Sequence, residues 1–102
     1  MKTTIITDHN LRSQLQDYAA SLGRQIEICE SGAQQNIIVF YRLLQEGKSR
    51  LLFTEKDAAH EFEVSRSTIT RWVNAVNAPH PAMRVHVYVW LLKQTKLALE
   101  MS

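Results

Sequence analysis

Apolar residues between positions 54 and 74 recur at the three- and four-residue spacing of amphipathic helices. The pattern breaks around residues 63–65 and then resumes. Thr54 is placed to cap a first helix, with Asp57 three residues later completing a capping box, and Ser65 is placed to cap a second. The chain therefore predicts two short helices joined by a tight turn. The apolar positions expected to pack are Ala58, Ala59, Phe62, Val64, Ile69, Trp72 and Val73.

The outward face of the second helix is predicted to be polar and not acidic. Its side chains can all form hydrogen bonds with bases or phosphates. The residues of this face are Arg66, Ser67, Thr70, Arg71 and Asn74.

The segment 54–74 resembles the helix-turn-helix of the lambda-repressor and Cro (XRE-type) class of DNA-binding proteins. Ala59, Val64, Ile69 and Trp72 are in register with the pattern of that class, and the run 64–72 is similar to the start of its recognition helix. The resemblance covers roughly residues 36–92. It implies a mainly α fold, a compact helical bundle that contains a helix-turn-helix and binds double-stranded DNA.

Glu63 departs from this pattern, because the family usually has glycine at that turn position. A turn residue there often has a positive φ, which costs a residue other than glycine about 1 kcal/mol or more.

Residues 1–33 are predicted as a small N-terminal appendage, a candidate dimerisation element and a candidate surface for a protein partner. The β-prone run 3–7 fits either an edge strand or a frayed arm, and the run 25–29 fits a short strand; between them lies a helix that Gly23 would end. Apolar residues of that helix either pack on the domain core, the favoured interpretation, or face a partner chain. These are Leu11, Leu15, Tyr18 and Leu22.

Residues 34–102 are predicted as the DNA-binding domain. A helix over 34–45 would end at Gly47, and a basic loop follows at 48–50. A last helix is expected over 82–99, starting after Pro81. It would bury Val85, Val89, Trp90, Leu92, Leu97 and Leu99. Residues 84–90 also alternate with period two and fit a strand, although a helix is favoured because strong helix formers follow.

Charge is unevenly distributed along the 102 residues, whose net charge is +2. Residues 1–34 carry three basic and four acidic side chains, whereas residues 35–102 carry nine basic and six acidic ones. The basic excess therefore accompanies the predicted helix pair, as phosphate binding requires. Because the excess is small, affinity would depend on where a few cations are placed.

Cytoplasmic location is expected. The single cysteine, Cys29, excludes an internal disulfide and fits a reducing compartment. The sequence has no apolar run of about 18 residues and no signal-peptide pattern at its start.

Catalytic and metal chemistry is not expected. The four histidines have no partner at a familiar metal spacing, and no nucleophile–base grouping or glycine-rich phosphate loop is present. The protein is therefore predicted not to be an enzyme and to need no cofactor.

The predicted function is a sequence-specific regulator of transcription, a small repressor of phage, plasmid or mobile-element type, acting as a homodimer whose interface is either residues 1–33 or the apolar C-terminal helix. Arg66 is expected to donate two hydrogen bonds to guanine. Two alternatives stay open: a protein-interaction module such as an antitoxin or inhibitor, and a DNA-architectural or recombination accessory factor. The predicted DNA-binding residues are Arg66, Ser67, Thr70, Arg71, Asn74, Thr54, Lys48 and Arg50.

Overall fold

The described residues form five α-helices. The structure is a computed structural model that describes the backbone of residues 4–101 and the side chains of residues 10–101. The described backbone contains no β-strand, so the prediction of a mainly helical chain is confirmed. No described helix is long and apolar enough to cross a membrane. The helices are α1 (Thr4–Ser31), α2 (Ile37–Ser49), α3 (Glu55–Phe62), α4 (Arg66–Val73) and α5 (Pro81–Met101).

The two strands predicted near the N-terminus are not formed, because residues 4–7 and 25–29 belong to α1. Thr3, the first residue of the predicted run 3–7, lies outside the described residues. An apolar stripe on α1 begins with the buried Leu15, Tyr18 and Leu22 and continues through the partly buried Ile26 and Cys29. This three- and four-residue spacing outweighs the short alternation at 25–29, because it lets one helix bury a single stripe from Leu15 to Cys29.

Gly23 does not end α1, contrary to the prediction. A Cβ added there would have no neighbour within 4 Å, so the position is open and the helix passes through it. α1 ends instead at Gly32, whose φ of 79° gives the left-handed conformation that favours glycine.

The hydrophobic core joins α1 to the rest of the described chain. Leu22 of α1, Phe40 of α2 and Leu91 of α5 belong to one buried cluster. α1 packs lengthwise on α5. The favoured prediction for the apolar residues of α1 is thereby confirmed at Leu15, Tyr18 and Leu22, whereas Leu11 is partly exposed.

α5 is helical through residues 84–90, so the favoured prediction is confirmed, and it begins at Pro81 as expected. Its buried face differs from the predicted one. Val89 and Leu97 are 49% and 46% exposed. Apolar residues lie on several sides of α5, so its sequence alone does not determine which side is buried. The packing of α1 against α5 determines it. The side chains that it buries are Val87, Tyr88, Leu91 and Thr95.

Gly47 lies inside α2 and does not end it, which corrects a second prediction about a glycine. A Cβ at Gly47 would lie 2.6 Å from the Tyr18 hydroxyl oxygen and 3.3 Å from Leu91 and Phe53 side-chain atoms. The Tyr18 hydroxyl donates to the carbonyl oxygen of Leu43 at 2.6 Å, and burial raises the pKa of this phenol above its ordinary value. The absence of a side chain at Gly47 thus makes room for the Tyr18 side chain of α1 against α2.

Helices α2, α3 and α4 end in the same way, with a non-glycine residue in the left-handed conformation. After α3, the amide of Glu63 donates to the carbonyl of His60, and that of Val64 to the carbonyl of Ala59. This is the Schellman arrangement, and it requires a positive φ at its central position. The three residues are Leu51, Glu63 and Ala75, with φ of 61°, 55° and 60°. The expectation of a positive φ at Glu63 is confirmed.

Candidate nucleic-acid interface

The helix pair α3–α4 is built from local signals. The Thr54 hydroxyl accepts a hydrogen bond from the amide of Asp57 at 3.1 Å, and the Ser65 hydroxyl accepts one from the amide of Thr68 at 3.1 Å. Each cap satisfies an amide that the first turn of its helix leaves without a partner. Both predicted caps are confirmed, and α4 begins at Arg66 as a result.

The inner face of α4 is fixed by packing. Ile69 and Trp72 are 1% and 5% exposed, so their predicted structural role is confirmed. The Trp72 ring lies 6.2 Å from that of Phe62, which in turn lies 5.3 Å from that of Trp90 on α5. The Gln45 side-chain amide donates to the Val73 carbonyl at 2.7 Å and joins the end of α4 to α2. α4 is therefore held by direct contacts with α2 and α3, and Phe62 of α3 connects it to α5.

The outer face of α4 is polar and accessible. Arg66, Ser67, Arg71 and Asn74 are exposed, whereas Thr70 is half-buried. Among the described side chains, neither Arg66 nor Arg71 lies within ion-pair distance of a carboxylate. The Arg71 guanidinium donates only a long hydrogen bond, 3.3 Å, to the Thr68 hydroxyl. These two arginines are available to an anionic ligand.

An acidic side chain that the sequence pattern did not suggest lies beside this face. One oxygen of Glu55, at the first position of α3, accepts from the Lys48 ammonium at 3.1 Å, and the other accepts from the Thr70 hydroxyl at 3.1 Å. The Thr70 hydroxyl also lies 3.0 Å from the Arg66 carbonyl, and its single proton serves one acceptor at a time. We call Lys48, Glu55 and Thr70 the Glu55 cluster.

The Glu55 carboxylate is ionised at neutral pH. The hydrogen bond from Lys48 is the main cause that holds the pKa of Glu55 below its ordinary value, while partial burial opposes it. The Thr70 hydroxyl and the charges of Lys48 and Arg66 lower the pKa further. Glu55 therefore neutralises Lys48, a predicted phosphate ligand, and occupies the hydroxyl of Thr70, a predicted base or phosphate ligand.

Arg50 is directed toward α1. Its guanidinium donates to the Glu46 carboxylate at 2.9 Å and to the Gln14 side-chain oxygen at 2.7 Å. Thr54 is exposed, but its hydroxyl serves as the cap of α3. The structure thus brings Lys48 and Thr70 together beside Arg66, whereas the Arg50 contacts lie on α1 and α2.

One sequence signal for Glu55 existed, since an acid in the first turn of a helix complements its dipole. Its partners could not be predicted, because Thr70 follows fifteen residues later on another helix.

The described side chains do not offer a metal site as an alternative to this surface. Among the described residues, no group of three or more His, Cys, Asp or Glu side chains is arranged to hold a metal ion. Comparison with protein-family models, curated proteins and solved structures finds no match to this chain.

Proposed function

We propose that this protein is a sequence-specific, double-stranded DNA-binding regulator of transcription, a small repressor of phage, plasmid or mobile-element type. In this proposal α3 and α4 act as a helix-turn-helix, and α4 enters the major groove. The observation that carries it is the two-sided character of α4. Ile69 and Trp72 fix one side in the core, while Arg66, Ser67 and Arg71 are exposed on the other.

The placement of Arg66 supports direct contact with base edges. It is the first residue of α4, and recognition helices of this kind present their N-terminal residues to the bases. A guanidinium that donates to guanine O6 and N7 contributes about 1–3 kcal/mol of discrimination. Arg71 and Asn74 lie further along the same face, where asparagine pairs with adenine and arginine with guanine or a phosphate.

Specificity also requires more contacts than one α4 supplies. The exposed polar surface of α4 offers only a few groups to bases, and helix-turn-helix proteins commonly place two such helices in successive major grooves, about 34–36 Å apart. We therefore propose a homodimer on a near-palindromic operator, in which each subunit contacts one half-site.

The first experiment is selection of bound sites from random duplex DNA, followed by anisotropy titrations of the selected duplex. Arg66→Ala should weaken binding by about 1–3 kcal/mol and relax the preference at one base pair. Arg71→Ala should weaken it as well. Arg24→Ala is the control, since this exposed arginine lies on α1.

The proposal is contradicted if selection recovers no duplex. It is also contradicted if Arg66→Ala and Arg71→Ala bind the selected duplex as tightly as the parent and the Arg24→Ala control.

A further inference from the structure

α5 presents a continuous outward face that no described residue covers. Its members recur every three or four residues, and at 100° per residue they fall on one side of the helix. Two of them are large apolar side chains, Val89 and Leu97, which are 49% and 46% exposed. We call this surface the outer α5 face. It comprises His86, Val89, Lys93, Lys96, Leu97 and Glu100, all exposed.

A groove of about 540 Å³ adjoins the N-terminal half of this face, between the end of α3 and α5. Phe62, Met83 and Trp90 form its apolar part, and Glu61 and Glu63 line the side that α3 supplies. A second depression of about 380 Å³ lies along the C-terminal half and shares Val89 and Lys93 with the groove. The two form one surface, in which apolar patches lie among charged groups, as in protein interfaces.

The acidic and basic groups of this surface lie at different positions along α5. Glu61 and Glu63 lie beside its N-terminal half, whereas Lys93 and Lys96 project from its C-terminal half, where Glu100 follows them. A second helix of the same sequence that ran in the opposite direction would bring Lys96 to Glu61 and Glu63, and Glu100 to His86. A two-fold axis fits this arrangement, because every contact then occurs twice.

We propose that the outer α5 face and its groove form a two-fold interface with a second copy of this chain, with the two α5 helices antiparallel. The inference rests on the homodimer of the proposed function and assigns its surface. An axis near Lys93 places Val89 opposite Leu97 of the second copy and His86 opposite Glu100. Lys96 of the second copy then meets the Glu61 and Glu63 side of the groove.

The spacing of the face fits this pairing. Positions 86, 89, 93, 96 and 100 follow the alternating three- and four-residue steps of a helix–helix seam. At the axis, two Lys93 side chains of like charge approach each other, which opposes association. Their long stems can cover apolar surface while the ammonium groups point outward. Lys93→Leu should consequently tighten the dimer.

The test uses the full chain without DNA, by sedimentation equilibrium over a wide concentration range. The parent should form a reversible dimer. Val89→Asp and Leu97→Asp should each weaken association by at least about tenfold, because each buries a carboxylate on both sides of the axis. Ile38→Asp is the matched control, since Ile38 is an apolar residue of α2 that is 60% exposed. Circular dichroism melting checks that each variant folds.

Charge reversal tests the direction of the helices. Glu61→Lys alone and Lys96→Glu alone should each weaken the dimer, and the double variant should recover affinity, because opposite charges again meet across the axis. A parent that stays monomeric overturns the inference. A dimer that is insensitive to Val89→Asp and Leu97→Asp overturns it as well, but leaves the proposed homodimer standing. The DNA-binding part of the proposed function is tested separately, by the anisotropy titrations described above.

Discussion

Replacing Glu55 by glutamine should release Lys48 beside the proposed DNA-binding face. The Lys48 side chain is 44% exposed and that of Glu55 is 19% exposed. Glutamine has nearly the same shape as glutamate, and its side-chain oxygen can still accept from the Thr70 hydroxyl. The substitution therefore removes the ion pair and one negative charge, and keeps the packing of α3 on α4.

The size of the effect follows from this geometry. An ion pair that is partly exposed contributes about 0–1 kcal/mol to stability, so Glu55→Gln should fold like the parent. On DNA, one additional phosphate contact per subunit, two in the proposed homodimer, steepens the dependence of log K on log salt by about 1.8. The gain in affinity would thus be about twelvefold larger at 50 mM than at 200 mM salt. Because phosphates are common to all sequences, affinity should rise by a similar factor for every duplex, and the specificity ratio should stay nearly unchanged.

The assay is an anisotropy titration of a selected and an unrelated duplex at several salt concentrations. Glu46→Gln is the matched control: it makes the same change in net charge but releases Arg50, whose contacts lie on α1 and α2. Glu55→Gln should tighten binding to both duplexes, and Glu46→Gln should not. An unchanged salt slope for Glu55→Gln, or the same change in both variants, would refute the reasoning.

Urea denaturation of Glu55→Gln at two pH values provides a second readout. Lys48 depresses the pKa of folded Glu55, so the ionised carboxylate stabilises the folded state above its unfolded pKa of about 4.3. This contribution is lost as the pH falls through the lower, folded pKa. Any stability deficit of Glu55→Gln should therefore be smaller at pH 3 than at pH 7. A deficit that is equal at both pH values would contradict the ion-pair explanation.

The remaining predictions concern stability and can be measured by urea denaturation. Glu63→Gly should stabilise the fold by about 0.5–1 kcal/mol, because glycine adopts the φ of 55° without strain. The control is Glu61→Gly, two residues earlier within α3, which should cost about 1 kcal/mol. If both substitutions changed the stability in the same direction, this explanation would be contradicted. Gly47→Ala should cost about 1–2 kcal/mol despite the better helix propensity of alanine, because the new methyl group meets the Tyr18 hydroxyl. Adding Tyr18→Phe should recover part of that loss, and strictly additive losses would show that the hydroxyl is not the obstacle.

The helix pair α3–α4 could be predicted because its determinants are local. Each cap is a hydroxyl that accepts from an amide three residues later. The buried residues recur within two helical turns, and Ile69 and Trp72 lie on the face that the spacing indicates. Even the strained turn at Glu63 followed from comparison with a pattern in which glycine is usual.

The ends of α1 and α2 could not be predicted from the same kind of signal. A glycine ends a helix only when the chain turns there, and Gly23 and Gly47 show two reasons why it does not. At Gly23 the apolar stripe continues on the far side, through Ile26 and Cys29. At Gly47 the missing side chain makes room for Tyr18, which is 29 residues away in sequence. Both reasons depend on which helix packs alongside.

The Glu55 cluster shows the same limit at the proposed binding surface, with a consequence for its energetics. The sequence predicts four basic side chains at the DNA-binding surface, namely Lys48, Arg50, Arg66 and Arg71. In the fold, Lys48 forms an ion pair with Glu55, and Arg50 forms one with Glu46. Arg66 and Arg71 are then the cations that α4 offers without a carboxylate partner among the described side chains. Two phosphate contacts per subunit, four in the proposed homodimer, would give a salt slope of about −3.6. Phosphate contacts carry no sequence information, so base contacts by α4 must supply the specificity, and a steeper slope would indicate that Lys48 exchanges Glu55 for a phosphate on binding.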